Sequence, residues 1–484
     1  MGWISMGTTG ICLSSAFFAP IKSLSLPTLV EQLLESDLAA LIRSKSNDQQ
    51  VWLVGGALRD HFLQIVQPDL DFAVDGDAIS LARGLADALG VPCYVLDEQR
   101  DTARVILPEQ ATLDFARLRA STIEADLKLR DFSINSMAVD LDHPDRLIDP
   151  LGGLQDLKDK ILRASARDSI KKDAIRSIRA IRLSTSLMLR IENQTKEQIR
   201  RSVDGLAASA AERRRDELSK ILDSDWVATA MRLMRRLELL PSVLPMQAAL
   251  NSEEWDRTLR VVDRLAELMG AVAAGFEPDR AGNLPLAELS LKLGRYRTNL
   301  GSHLSAKMPG GHRSSQILFL AALHTELEHA KGSAYASARE LRFSEAEARL
   351  ARSIAGCRLR AAELEGAATD LGAHRYFRDC GASGVEATLL YLAISLSESP
   401  TQDRWEMQVN IARKLFEAWF AQHDLIVAPL QLVRGNKLAA ALNLRPGPII
   451  GELLAAIAEE QVEARITTES EALEFARNRM LKRG

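Results

Sequence analysis

The sequence predicts an α+β fold: an α/β head domain followed by an all-helical neck, body and tail. Three observations predict it. Short β-rich runs alternate with helical patterns through the first third of the chain, as when strands and helices share one domain. Beyond about Leu154 strand signals nearly vanish, and Ala, Leu, Arg and Glu recur with helical periodicity to the C-terminus. At 484 residues the chain exceeds one ordinary core, so roughly three or four domains are expected.

In chain order, residues 1–26 read as a leader without fixed structure. The first twenty residues are mildly apolar but lack the basic start of a signal peptide, and Met6 is an alternative start. The head, 27–157, opens with an amphipathic helix over 27–44. A β-rich run at 50–54 stops at Gly55-Gly56, a short helix follows to 63, and a second strand spans 69–74. A helix over 78–89 and strands near 93–96, 103–107 and 112–116 follow. The helical remainder divides into a neck (158–224), a body (225–425) and a tail (426–484). Within it 283–285 and 308–311 read as loops, and Ala428-Pro429 and 445–448 punctuate the tail. No internal repeat stands out.

Composition excludes several classes. The chain is 46% hydrophobic and 26% charged, as a soluble globular protein is. Its net charge is −4, so a polyanion site must be a local basic patch. Cys12, Cys93, Cys357 and Cys380 lie far apart without CxxC spacing. That argues against a disulfide framework or a zinc site and suits a reducing cytoplasm. No run reads as long and apolar enough to span a bilayer, so no membrane partner is expected.

The most informative segment is 51–72. A strand ends in Gly55 and Gly56, which let the backbone turn sharply and approach a ligand closely. A helix starts at once, so its free N–H groups can hold a phosphate, and Arg59, one turn in, can add charge-assisted hydrogen bonds. Asp69 and Asp71 are two apart on the expected strand, so both carboxylates face one side while Leu70 and Phe72 face the core. Adjacent carboxylates repel unless a cation lies between them, and hard oxygen donors suit Mg²⁺, which can bridge a triphosphate and an attacking hydroxyl. Asp114, alternating with Phe115 on a later strand, is a candidate third carboxylate, for a second metal or for deprotonating the hydroxyl. A lone DxD is commonly a solvated turn; the strand, double glycine, helix and strand around this one favour a site.

A second signal lies at 173–182, where Asp173, Arg176, Arg179 and Arg182 recur every three residues and wind along one flank of an expected helix, beside Ile175, Ile178 and Ile181. The bland reading is a salt-bridged surface helix. The sharper one is base selection: Asp accepts from an exocyclic amine and Arg donates to a ring acceptor, so an Asp–Arg pair can select CTP and ATP without a template. From 158 to 220 there are 17 Lys and Arg against 9 Asp and Glu, an excess of eight positive charges in an acidic chain. That suits a phosphate backbone lying over the neck.

Together these segments resemble the class II tRNA nucleotidyltransferase family, which includes CCA-adding enzymes and bacterial poly(A) polymerases. VGGALRD at 54–60 with DLDF at 69–72 is similar to its first motif. RDFSINSMA at 130–138, DPLGGLQDL at 149–157, DAIRSIRAIR at 173–182 and ERRRDEL at 212–218 match four more in order, and PGPIIG at 446–451 with a TxxEA helix start matches a recurring tail. The resemblance implies a template-independent enzyme that adds C and/or A from CTP and ATP to the 3′ end of tRNA. It implies two-metal attack of the RNA 3′ hydroxyl on the α-phosphate. Asp69 and Asp71 would hold Mg²⁺, and Gly55, Gly56, Arg59 and Arg130 would contact the incoming nucleotide. Asp173 and Arg176 would read the base, with Arg179 and Arg182 supporting the triphosphate or the helix. Asn135 would bond a sugar hydroxyl or stabilise a turn, and Asp149 and Asp156 would serve loops and caps.

Departures from the pattern are Leu129 for a first Arg, Lys172 for a Glu, and Lys437 for an Asp in the tail. In AALHT at 321–325, Thr325 replaces the Asp of an HD phosphohydrolase motif, so no metal phosphohydrolase is expected there and His324 is expected to be a packed helix residue. The stretch from Asp114 to Arg130 is short, which admits a CC-adding enzyme working with a separate A-adding enzyme on the same tRNA. The remaining alternatives are a poly(A) polymerase on other RNAs and an inactive RNA-binding protein; the presence of Asp69, Asp71 and Asp114 counts against the last.

Overall fold

The computed structural model describes residues 37–65, 69–108, 111–273, 275–276, 283–327, 330–366 and 368–481. The expected leader, Cys12 and the first part of the 27–44 helix lie outside the described residues. The chain forms two compact units, one within 13–217 plus 232–243, the other holding 218–231 and 244–484.

The first unit is built on a seven-stranded mixed sheet of order β3-β4-β5-β2-β1-β6-β7. Helix α1 (Asp37–Lys45) precedes β1 (Val51–Val54), α2 (Gly56–Phe62) and β2 (Leu70–Val74). Then come α3 (Ala78–Leu89), β3 (Cys93–Asp97), β4 (Thr102–Ile106) and β5 (Thr112–Arg117). The sheet is antiparallel except that β2 and β5 run parallel, because α3 and the β3–β4 hairpin carry the chain across between them. All four residues of β1 are buried, as a strand covered on both faces requires. On one face Phe72 and Phe115 stack with centroids 4.9 Å apart, joined by Leu113, Ala103 and Val105, all fully or almost fully buried. Helix α3 packs on β4 and β5 with Leu81, Ala82, Leu85 and Ala86 buried, its N-terminus capped by Asp77.

Expected and observed strands agree from β1 to β5 within a residue or two. Asp69, expected on the second strand, lies one residue before β2. The short α4 (Ile123–Leu127) leads to β6 (Ala138–Asp140) and β7 (Leu147–Ile148). These strands are too short for period-two alternation to reveal; β6 is held by pairing with β1. Beyond Leu154 the first unit is helical except for a parallel pair of two-residue strands, β8 (Ile161–Leu162) and β9 (Arg190–Ile191). Helices α5 (Ser169–Lys172), α6 (Arg176–Ser186) and α7 (Ala211–Leu222) follow the chain order here. The helix expected from 173 starts at Arg176, with Asp173 extended at the end of α5.

The second unit is helical. Its long α8 (Ser252–Ala271) opens on an Asn251/Glu254 capping box, which satisfies end N–H groups reciprocally. Helix α9 (Ser314–Ala322) is buried on every side. Helix α10 (Asp370–Cys380) and α11 (Gly384–Ser397) together pass for a membrane span by length and composition, contrary to the sequence reading, but 78% of that window is buried inside the protein. A helix apolar all round is a core helix when packed like this: α11 lies against α8, α9 and α12 (Gln402–Phe420). The tail forms its own cluster from Val433, Leu438, Leu453, Ile457, Ala472 and Ala476. Helix starts at Leu284 and Pro448 place prolines in first turns, where a missing N–H costs nothing; the loop expected at 283–285 is therefore a helix start.

Candidate active site

The strand registers set one row of residues across the sheet. Arg104 on β4 pairs with Asp114 on β5, Asp114 with Asp71 on β2, and Asp71 with Val54 on β1. Alternation puts these side chains on the face opposite Phe72 and Phe115. A cavity of about 930 Å³ opens over the row, lined among others by Asp71, Asp114, Arg117, Arg119, Asp126 and Arg130.

Asp71 projects into this space. Its pKa is raised, first by burial among protein atoms and next by the negative charge of Asp114, with Asp69 adding to it and Arg130 and Arg104 opposing. Such a carboxylate gains by meeting a cation. Asp69 is exposed; its Oδ1 accepts from the Thr112 backbone N–H at 3.2 Å and from the Thr112 hydroxyl at 2.8 Å, and Oδ2 has no hydrogen bond among the described residues. Asp114 accepts a fork from Arg104, Nε to Oδ1 and Nη2 to Oδ2, both at 2.7 Å. That hydrogen bond raises the Arg104 pKa.

Gly55 explains its own presence. Its φ is +78°, and a Cβ there would stand 3.2 Å from Asp71 Oδ2 and 3.3 Å from Arg130 Nη1. Only glycine passes in that conformation and at that distance. Arg130 also donates to Asp126, four residues back. Asp126 is almost fully buried and takes Arg119 as well. Burial would raise the Asp126 pKa, but the two arginines outweigh it and hold it low.

The other expected site residues point elsewhere. Arg59 forks onto Asp60 at 2.8 Å twice and reaches Asn135 Oδ1 at 2.6 Å. Asn135 in turn donates to buried Asp131, which thus supports a turn rather than facing the cavity. Arg179 joins Asp131 to Glu217, and Arg182 takes the second Glu217 oxygen at 2.9 Å. The result is one polar relay, Arg59–Asn135–Asp131–Arg179–Glu217–Arg182, running from α2 to α7. Burial alone would push the Asp131 pKa up; Arg179, Asn135 and the Phe132 N–H hold it down. Arg176 donates to the carbonyls of Leu129 and Arg130, bracing the chain that carries Arg130. Asp173 is ion-paired with Arg213 at 2.8 Å. Asp149 accepts from the Gly153 and Leu154 N–H groups, as a cap does.

The structure therefore brings together Asp71, Asp114, Arg130 and Gly55, with Asp69 at the edge. Arg59, Asp173, Arg176, Arg179 and Arg182 do not line the cavity; Gly56 packs on Arg59, 3.3 Å from its Nη2 measured at a Cβ. Sequence reasoning missed Arg104, Arg119 and Asp126. Arg104 alternates with buried Ala103 and Val105, and Asp126 precedes Arg130 by one helical turn, so both had a signal.

Comparison with known proteins fits this geometry. Residues 51–163 match the "Poly A polymerase head domain" family, 189–250 the "Probable RNA and SrmB- binding site of polymerase A" family, and 315–476 the tRNA nucleotidyltransferase domain 2 family. The A-adding tRNA nucleotidyltransferase of Deinococcus radiodurans is 30% identical over 441 residues, covering 87% of this chain and 94% of that one. The CC-adding tRNA nucleotidyltransferase of Geobacter sulfurreducens is 42% identical over 173 residues, 36% of this chain and 40% of that relative. A CCA-adding enzyme solved with ATP shares the fold at TM-score 0.64 and 21% identity, over 93% of this chain and 98% of that one. The chain belongs to the tRNA nucleotidyltransferase family.

Proposed function

We propose that this chain adds C and/or A residues from CTP and ATP to the 3′ end of tRNA, in the cytoplasm. The observation that carries it is the row of Asp71 and Asp114 on the cavity floor, with Gly55 seated against Asp71 and Arg130. Near-full-length similarity to an A-adding tRNA nucleotidyltransferase supports the substrate. In this reading 27–157 is the catalytic head, the neck (158–224) positions the nucleotide, and the body and tail (225–425 and 426–484) hold tRNA.

Asp69 and Asp71 would hold Mg²⁺: the donors are hard oxygens, Oδ2 of Asp69 has no hydrogen bond among the described residues, and the burial and neighbouring negative charge that raise the Asp71 pKa are what a cation offsets. Bound there, the ion would neutralise phosphate charge and favour ionisation of the attacking hydroxyl. The chain's own residues do the rest. Arg130, held by Asp126 and braced from behind by Arg176, offers its charge to the triphosphate. The glycine turn lets the α-phosphate approach Asp71. The RNA 3′ oxygen bonds to the α-phosphorus as the bond to the bridging oxygen breaks, and pyrophosphate leaves in line. The polar relay ties α2 to the arginine helix α6 through Asn135 and Asp131. Asp173, partly exposed beside Arg213, remains our candidate with Arg176 for reading the base edge.

A second reading is favoured by one feature. The stretch between Asp114 and Arg130 is filled by the end of β5 and by α4, leaving little free chain. That favours CC addition with a separate A-adding enzyme completing the end. The test is incubation of the full chain with Mg²⁺, labelled CTP or ATP, and three tRNA transcripts ending at the discriminator base, at C and at CC. Complete CCA on all three gives the full activity, arrest at CC gives the second reading, and long oligo(A) on any RNA gives a poly(A) polymerase. No addition under any condition overturns the proposal.

A further inference from the structure

The sequence makes Asp114 a third catalytic carboxylate, but its surroundings give it a different status from Asp69 and Asp71. Both Asp114 oxygens are held by Arg104 at 2.7 Å, the fork geometry that makes arginine–carboxylate pairs strong and directional. Strand register fixes the pair: Arg104 and Asp114 are direct partners on β4 and β5, so their side chains share a face and neither needs to reach. Asp71 is Asp114's partner on the other side. The positive charge thus stands at the end of the row, with Asp114 between it and Asp71.

Charge arithmetic follows. Asp69, Asp71 and Asp114 bring three negative charges and Arg104 one positive, which leaves two, the charge of one divalent cation. Asp126 with Arg119 and Arg130 adds one further positive charge beside this row, which leaves still less negative charge to hold a second cation. We infer that Arg104 is a positioning residue that withholds Asp114 from the metal-ligand set, so that the nucleotide-free site binds one divalent cation through Asp69 and Asp71. This rests on the metal reading proposed above. Arg104 acts through Asp114: it holds both oxygens of that carboxylate in place, and it keeps a second cation from settling between Asp71 and Asp114 before substrate arrives.

The test is equilibrium binding of Mn²⁺ alone to the full chain, followed by the loss of the free-ion paramagnetic signal; Mn²⁺ takes the same hard oxygen ligands as Mg²⁺. Arg104→Gln frees Asp114 and removes a like charge, so it should bind Mn²⁺ about tenfold tighter than the unaltered chain. The double variant Arg104→Gln with Asp114→Asn removes the pair as a unit without changing net charge, and should stay within about twofold of the unaltered chain. It also serves if the single variant folds poorly. An Arg104→Gln affinity equal to or weaker than the unaltered chain's overturns the inference. So does a tenfold loss in the double variant, because Asp114 would then be a ligand. If neither the unaltered chain nor Arg104→Gln binds Mn²⁺, the metal reading itself falls and takes this inference with it.

Discussion

Asp71 and His324 are both polar side chains set among buried apolar residues, and each lies in a motif-like stretch: a DxD that the sequence reads as chemistry, and a decayed HD pattern in which it expects His324 only to pack. They are built in opposite ways. Asp71 opens into a cavity, and burial among protein atoms together with the carboxylates beside it raises its pKa. His324 is fully buried in the turn after α9, and both ring nitrogens are engaged, Nδ1 with the Leu320 carbonyl at 2.8 Å and Nε2 with the Ser337 hydroxyl at 3.0 Å. Thr325 bonds back to Ala322. A polar group whose atoms all have protein partners is part of the packing. A charged group kept beside like charge and open space is kept for something that arrives.

That contrast can be broken or sharpened at three positions. The largest effect is expected at Gly55. Gly55→Ala adds a Cβ near 3.2 Å from Asp71 Oδ2 at positive φ, so Asp71 or Arg130 must move. Displacements of about 1 Å at a reacting site cost on the order of a hundredfold in rate. We expect that loss in kcat, with tRNA affinity unchanged in a filter-binding measurement; a rate within threefold would mean the contact is slack.

Glu217 comes next. It is nearly buried and satisfies both Arg179 and Arg182, so Glu217→Gln leaves two cations half-paired. The loss should be about 2 kcal/mol, below the range for a fully buried pair because both arginines keep some exposure. The urea midpoint reads it, with Glu212→Gln on the exposed side of the same helix as the control expected to move it little. Equal effects from the two would deny the relay its role.

The smallest effect is a pH slope. His324 has its pKa lowered to about 4 by burial, with the Leu320 carbonyl opposing, against about 6.5 unfolded. Between these values the unfolded chain binds the extra proton. Stability contributed by the neutral ring is therefore present above pH 6.5 and falls as pH drops toward 4, by about 1 kcal/mol per pH unit. His324→Gln should flatten that part of the urea-midpoint profile even if it lowers stability at pH 7. An unchanged slope would place the titration elsewhere.

How much of this was legible in the sequence differs by element. Strands β1 to β5 carry four to six residues each, enough for alternation or β-rich runs to show. Strands β6 and β7 have three and two and exist through pairing, which no local pattern encodes. The Asp71–Asp114 juxtaposition was half legible: each residue alternates with a buried Phe, but their adjacency comes from the parallel register of β2 and β5. The protein partners of Arg59, Arg176 and Arg179 were not legible, because an arginine's sequence position does not say which of the protein's own carbonyls and carboxylates its fork meets.

The most direct test of the central claim is single-turnover nucleotide addition by the full chain carrying Asp71→Ala, beside the unaltered chain, with tRNA binding measured in parallel. The account predicts a loss of at least about a thousandfold in addition with tRNA affinity within a few-fold of the original. Addition by Asp71→Ala at the original rate would contradict it and move the chemistry away from this cavity.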